Sequence, residues 1–134
     1  MYRVATEIKF CYGHRLLGYE GPCQHPHGHN CKVEVYLKGD QLDHRHILVD
    51  FGDVEKNVLN WILKNLDHKM ILQKNDPLVK PLQDLGEPVF LLETSPTAEM
   101  IAKLIYDHCL SEKLPLDEVR VWETDACWAA YRKD

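Results

Sequence analysis

Arg3-Val4-Ala5-Thr6-Glu7-Ile8-Lys9-Phe10-Cys11-Tyr12 is the stretch that decides the fold class. Val4, Thr6, Ile8, Phe10 and Tyr12 share one parity, while Arg3, Ala5, Glu7, Lys9 and Cys11 share the other. Side chains on a strand point alternately to two faces, so this period of two predicts a half-buried strand with its aromatic face inward. Cys31, Val33, Val35 and Leu37 repeat the pattern against Lys32, Glu34, Tyr36 and Lys38, and Gly39-Asp40 breaks it. His46 to Val49 reads as a third short strand folding back as a hairpin. Residues 13–30 between the first two runs are rich in Gly, Pro and His and read as a long connection.

The period then changes. Asp50 is placed to cap a helix starting near Phe51, and Val54, Val58, Trp61 or Ile62, and Leu66 recur at helical spacing. Asp67 to Leu92 carries Pro77, Pro81, Gly86 and Pro88 and predicts loops with little regular structure. Ser95-Pro96 reads as a capping serine followed by a first-turn proline, opening a second helix whose inward stripe is Ile101, Leu104, Ile105 and His108. Val119–Glu123 and Cys127–Arg132 predict two closing strands. Short turns between adjacent strands favour an antiparallel sheet, and two helices on one face of it make an α+β domain.

The chain has 134 residues, 45% of them apolar, which suits one domain with its own core. No apolar run approaches the ~20 residues of a membrane helix, and the N-terminus shows no apolar signal-peptide centre. A net charge of −5 and the absence of like-charge blocks speak against a nucleic-acid or membrane partner. Five cysteines, with no C-x-x-C pair, predict a reduced cytoplasmic protein. Cys11, Cys31, Cys109 and Cys127 read as small buried apolar residues.

Eight histidines are unusual at this length, and His25, His27 and His29 fall within Cys23-Gln24-His25-Pro26-His27-Gly28-His29-Asn30. His27 and His29 share the inward parity of Val33 and Val35, and His14 shares that of Phe10 and Tyr12. If the two strands pair, the three imidazoles meet at one end of the sheet and suit zinc with a fourth position open. Against this stands a chance H-x-H in a solvated loop. His25 has the other parity and reads as a loop residue. Cys23, in a polar loop beside the histidines, is a candidate proton acceptor or nucleophile. Asp67-His68 pairs a carboxylate with an imidazole whose tautomer it can fix, although a histidine there also caps a helix end. Glu123 lies on an apolar strand face, where it is either a salt-bridge partner or an anchor for a ligand edge offering two N–H groups. Thr97 and Glu99 open the second helix, where they serve either the helix start or a polar ligand group.

In order along nearly the whole chain, Phe10–His14, Cys23–Asn30, Val49-Asp50-Phe51, Leu66-Asp67-His68-Lys69, Pro96-Thr97-Ala98-Glu99 and Trp122-Glu123-Thr124 resemble the 6-pyruvoyl-tetrahydropterin synthase / 6-carboxytetrahydropterin synthase family. The resemblance implies the T-fold, an antiparallel four-stranded sheet with two helices on one face, with residues 1–134 as one domain. It implies Zn2+ on His14, His27 and His29. Cys23 would be the proton acceptor, Asp67 and His68 its relay, Glu123 the anchor of the pterin ring, and Thr97 part of the pocket wall. It implies a carbon–oxygen lyase acting on 7,8-dihydroneopterin triphosphate. Trimers paired into homohexamers would bring Asp67 and His68 to Cys23 of a neighbouring chain. Three residues between Cys23 and His27, together with Val49-Asp50-Phe51, resemble the bacterial queuosine-pathway type, whose products are 6-carboxytetrahydropterin, acetaldehyde and triphosphate. The alternatives are 6-pyruvoyl-tetrahydropterin formation without side-chain cleavage, or a non-catalytic zinc- or pterin-binding T-fold protein. Cys31 and the long segment from Ile71 to Glu93 depart from the common pattern. Arg15, Lys69, Lys103 and Arg132 stand unranked as partners for the triphosphate.

Overall fold

A computed structural model describes residues 1–134. The chain runs β1 (Tyr2–His14), β2 (His27–Gly39), α1 (Phe51–Val54), a π-helical turn (Glu55–Leu59), α2 (Asn60–Asn65), β3 (Lys69–Gln73), α3 (Val79–Asp84), β4 (Val89–Leu92), α4 (Ala98–Ser111), β5 (Leu116–Trp122) and β6 (Trp128–Tyr131). The two alternating runs pair antiparallel in register from Tyr2↔Gly39 to His14↔His27. β2 pairs antiparallel with β5, and β5 with β6.

The expected sheet needs correction in size and sense. Four antiparallel strands are present, but the full sheet has six, in the order β4-β3-β1-β2-β5-β6, with β3 parallel to both β1 and β4. The prolines and glycine of residues 67–92 bound elements instead of preventing them. Pro81 sits in the first turn of α3, where a backbone N–H has no helical acceptor. Gly86 ends that helix at φ +77°, and Pro88 stands just before β4. His46 to Val49 forms no strand. The Asp43 carboxylate instead accepts the Arg45 and Ile47 amides at 2.8 and 3.1 Å, closing a turn with His46 at φ +63°.

The core lies between the sheet and the helices. Ile8, Phe10 and Tyr12 of β1, Cys31, Val33, Val35 and Leu37 of β2, and Val119 and Val121 of β5 form its sheet side. Val54, Val58, Ile62 and Leu66 supply one fully buried helical stripe, with Ile62 in place of Trp61. Trp61 stacks on His108 with centroids 4.3 Å apart. The α4 stripe is Ile101, Ala102, Ile105 and Cys109, with Leu104 only partly buried. Its cap is Thr97, whose hydroxyl accepts the Met100 amide at 3.2 Å, not Ser95. Asp50 caps α1 as expected, accepting from the Gly52 amide at 2.8 Å.

The first residue past β1 ties the second half of the chain down. Arg15 donates through Nε to Asp76 Oδ2 at 2.8 Å, and its Nη2 pairs with Asp76 Oδ1. The Asp76 side chain is fully buried and also accepts the Leu78 amide. The Arg15 hydrogen bond holds this carboxyl below the usual carboxylate range, against the opposing effect of burial.

Candidate active site

Pairing of β1 with β2 places His14 opposite His27, and Tyr12 opposite His29. All three histidines therefore project from the core face at one end of the sheet. Their ring centroids are 4.5, 5.0 and 5.1 Å apart, and one nitrogen from each lies within 4.8 Å of the others. His14 Nδ1–H donates to the Pro96 carbonyl and His27 Nδ1–H to the His25 carbonyl, both at 2.7 Å. These bonds leave Nε2 of each ring bare and aimed inward, which is the tautomer a metal requires. Burial pushes His14 down to about 4; the Pro96 bond opposes this, and neighbouring His27 and His29 add to it. His14 is thus neutral across the physiological range. Three converging imidazoles, two of them with tautomers fixed by carbonyls, fit zinc by the chemistry of the donor set.

Glu123, just past β5, reaches the same place. Its Oε2 is 2.7 Å from His29 Nε2 and 3.8 Å from His14 Nε2. A cavity of about 490 Å³ is lined by His14, Cys23, Thr97 and Glu123, together with Tyr19 and Cys127. The fold therefore gathers the sequence-derived candidates His14, Cys23, Thr97 and Glu123 around one space, with His27 and His29 beside His14. Tyr12 packs edge-on to His14, and its buried hydroxyl has no hydrogen-bond partner. The Pro96 and His25 carbonyls are not legible in the sequence, because backbone acceptors carry no residue signature.

Asp67 and His68 lie elsewhere in the chain. β3 runs parallel to β1 with Lys69 opposite Tyr12, which brings the residues before it against Cys11. Asp67 Oδ1 accepts the Cys11 amide at 3.1 Å, Asp67 Oδ2 lies 2.8 Å from His68 Nδ1, and His68 Nε2 lies 3.4 Å from Cys11 Sγ. Burial raises the Asp67 carboxyl, but the Cys11 amide and His68 outweigh it and hold the group below its ordinary value. The expectation that Cys11 and Cys127 are buried is corrected: Cys11 is half-exposed and Cys127 exposed, while Cys31 and Cys109 are buried. Cys11 sits on the outward parity of β1, and Cys127 sits in the short turn before β6.

All four cations considered for the triphosphate have partners in the chain. Arg15 is held by Asp76, Lys103 by Asp107 at 2.7 Å, and Lys69 by the Lys64 carbonyl at 2.7 Å. Arg132 is 4.0 Å from Asp117.

Comparison with known proteins agrees with this architecture. The family model described as 6-pyruvoyl tetrahydropterin synthase matches residues 3–134. A 6-carboxy-5,6,7,8-tetrahydropterin synthase from Haemophilus influenzae is 30% identical, covering 99% of this chain and 100% of its own. One of the same name from Aquifex aeolicus is 35% identical, covering 84% and 76%. Among solved structures, an uncharacterised protein from Wolinella succinogenes superposes with a TM-score of 0.82 at 24% identity, covering 99% and 98%. A catalytic-residue variant of Plasmodium vivax 6-pyruvoyltetrahydropterin synthase superposes at 0.78 with 17% identity, covering 99% and 98%. A match over residues 3–134, on a fold that brings the histidines of two separate motifs together, means that the chain belongs to the 6-pyruvoyl tetrahydropterin synthase family of enzymes.

Proposed function

We propose that the enzyme converts 7,8-dihydroneopterin triphosphate to 6-carboxy-5,6,7,8-tetrahydropterin, releasing acetaldehyde and triphosphate. The observation that carries this reading is the convergence of His14, His27 and His29 beside a cavity that also holds Cys23 and Glu123. The names of the Haemophilus and Aquifex relatives support the 6-carboxy product over the 6-pyruvoyl one.

His14, His27 and His29 would hold zinc through Nε2. Zinc there supplies Lewis-acid polarisation of the substrate's side-chain oxygens. The remaining work falls to the chain. Cys23 takes the proton from the side-chain carbon. His29 Nε2 serves either the metal or Glu123; once it is committed to the metal, Glu123 is free to accept the paired N–H groups of the pterin edge. Thr97, at the start of α4, closes the same cavity wall. Within one chain Asp67 and His68 contact Cys11, and Cys11 and Cys23 line different cavities. The relay is therefore assigned to Cys23 of a neighbouring copy in a homohexamer, two trimers paired. No helix is long and apolar enough to cross a membrane. Five unpaired cysteines support placement in the cytoplasm, and queuosine-type deazapurine synthesis is the pathway this product would feed.

The test is mass spectrometry of the products formed from zinc-loaded protein and 7,8-dihydroneopterin triphosphate. 6-Carboxytetrahydropterin with acetaldehyde confirms the proposal. 6-Pyruvoyl-tetrahydropterin replaces it with the elimination-only reaction, and release of no triphosphate leaves a binding role. Light scattering at the mass of six chains is expected; an active monomer contradicts the shared site.

A further inference from the structure

We propose that Tyr19 is the wall on which the flat ring of the substrate stacks, and that its loop thereby sets where the side chain of that ring meets Cys23. The inference rests on the pterin reading of the site. It adds a residue that lies outside every motif of the family resemblance. It holds for either product, because both reactions start from the same ring.

A ring anchored by Glu123 is held in its own plane, since a carboxylate accepts paired N–H groups edge-on. Its two π faces are left to the cavity walls, which in pockets of this kind are apolar and aromatic. The cavity of about 490 Å³ offers two large aromatic rings, Tyr19 and Trp128. Their exposures are similar, 50% and 48%. Their availability is not. The Trp128 ring already carries the Arg120 guanidinium 4.5 Å from its centroid and packs against Trp122 at 5.9 Å. Tyr19 rests instead on the backbone of its own loop, with half of its surface open.

The loop fixes that ring in place. Gly21, at φ +151°, lies so close that a β-carbon there would stand 2.8 Å from Tyr19 Cε1 and 3.5 Å from Cδ1. Only a residue without a side chain leaves the ring this seat. The Tyr19 amide donates to the Leu16 carbonyl at 3.2 Å, and the Leu16 amide donates to the Cys23 carbonyl at 2.8 Å. These bonds close residues 16–23 into one loop. Gly21 also precedes the short 3-10 turn Pro22–Gln24 that carries Cys23. The ring wall and the proton acceptor are therefore parts of one closed piece of chain. A ring pressed against this wall and tied to Glu123 at its edge presents its side chain to Cys23. Tyrosine has few torsions to freeze, so such a wall is held at low conformational cost.

The test is calorimetric binding of 7,8-dihydroneopterin, which has the ring and no phosphate, to the intact zinc-loaded enzyme. Tyr19→Ala, or Tyr19→Leu where alanine loosens the loop, should weaken binding about tenfold, the scale of one lost stacking contact on an aromatic side chain. Tyr19→Phe keeps the ring and should bind as wild type does. Zinc content equal to wild type certifies the site in each variant. Turnover gives the second readout. Stacking acts equally on substrate and transition state, so the alanine or leucine variant should raise KM about tenfold with kcat little changed. A tyrosine that merely held the loop would act through Cys23 and lower kcat instead. Unchanged dihydroneopterin affinity in the alanine and leucine variants overturns the proposal. So does a phenylalanine variant as weak as alanine, or a fall in kcat at constant KM. Wild-type enzyme that binds no dihydroneopterin removes the pterin reading and the stacking wall together. Wild type that binds it as tightly as the alanine variant removes Tyr19 alone.

Discussion

β1 carries two clusters on its two faces, and they are built by different means. On the inner face His14 is 2% exposed and meets His27 and His29 through the antiparallel partner strand. On the outer face Cys11 meets His68, 77% exposed at its side chain, through a parallel strand that follows two helices. The inner cluster is locked by burial and by carbonyls that fix the tautomers of His14 and His27. The outer one is locked by backbone hydrogen bonds around His68, which sits at φ +57°. Burial holds His14 neutral, and convergence of the three rings makes a site suited to a cation.

The largest expected effect breaks the inner cluster. His27→Ala removes one of three imidazoles, so about one zinc per chain in the purified enzyme should fall to none, and turnover with it. Metal analysis by mass spectrometry checks this. Full zinc retention in the variant would move the metal away from the histidines. Cys23→Ala separates chemistry from metal: turnover should fall by about 10²–10⁴ while zinc stays bound. Retained turnover would take the proton-acceptor role from Cys23.

The difference between the faces also explains what the sequence could show. The parities of Phe10, Tyr12 and His14 and of His27, His29 and Val33 are local, and one antiparallel hairpin-like pairing suffices to join them. The inner cluster is therefore legible in the sequence. The outer cluster depends on β3 docking parallel to β1, a pairing of residues more than fifty positions apart with no turn to announce it. β3 and β4 were hidden further by their shortness and by Pro77, Pro81 and Pro88, which read as breakers though they only punctuate. Cys11 accordingly read as a filler residue, although its outward parity already argued against burial. Glu123 was legible as an acid out of place on an apolar face, but its contact with His29 was not.

Asp76 tests whether the second half of the chain is held as firmly as the first. Its buried carboxylate is paired with Arg15, so Asp76→Asn leaves the guanidinium without its partner and should cost about 3 kcal/mol of stability at neutral pH. The folded carboxyl lies below its ordinary value, so its contribution is present above that value and is lost as pH falls through the folded one. Urea unfolding across an acidic pH series should show the gap between wild type and variant narrowing toward low pH. A gap that is constant with pH would mean that the loss comes from packing instead.

The smallest effect separates two meanings of one hydroxyl. Thr97 Oγ1 accepts the Met100 amide and so caps α4, while the residue also lines the cavity with Cys23 and Glu123. As a cap alone, Thr97→Ala should cost about 1 kcal/mol of stability and Thr97→Ser almost nothing, with KM unchanged in both. As a wall of the pterin pocket, the alanine variant should in addition raise KM with kcat little changed, because a contact made equally to substrate and transition state is lost. Serine keeps the hydroxyl that both roles need and removes only the methyl. A KM that rises in serine as well as alanine therefore assigns the pocket contact to the methyl, and one that rises in alanine alone assigns it to the hydroxyl.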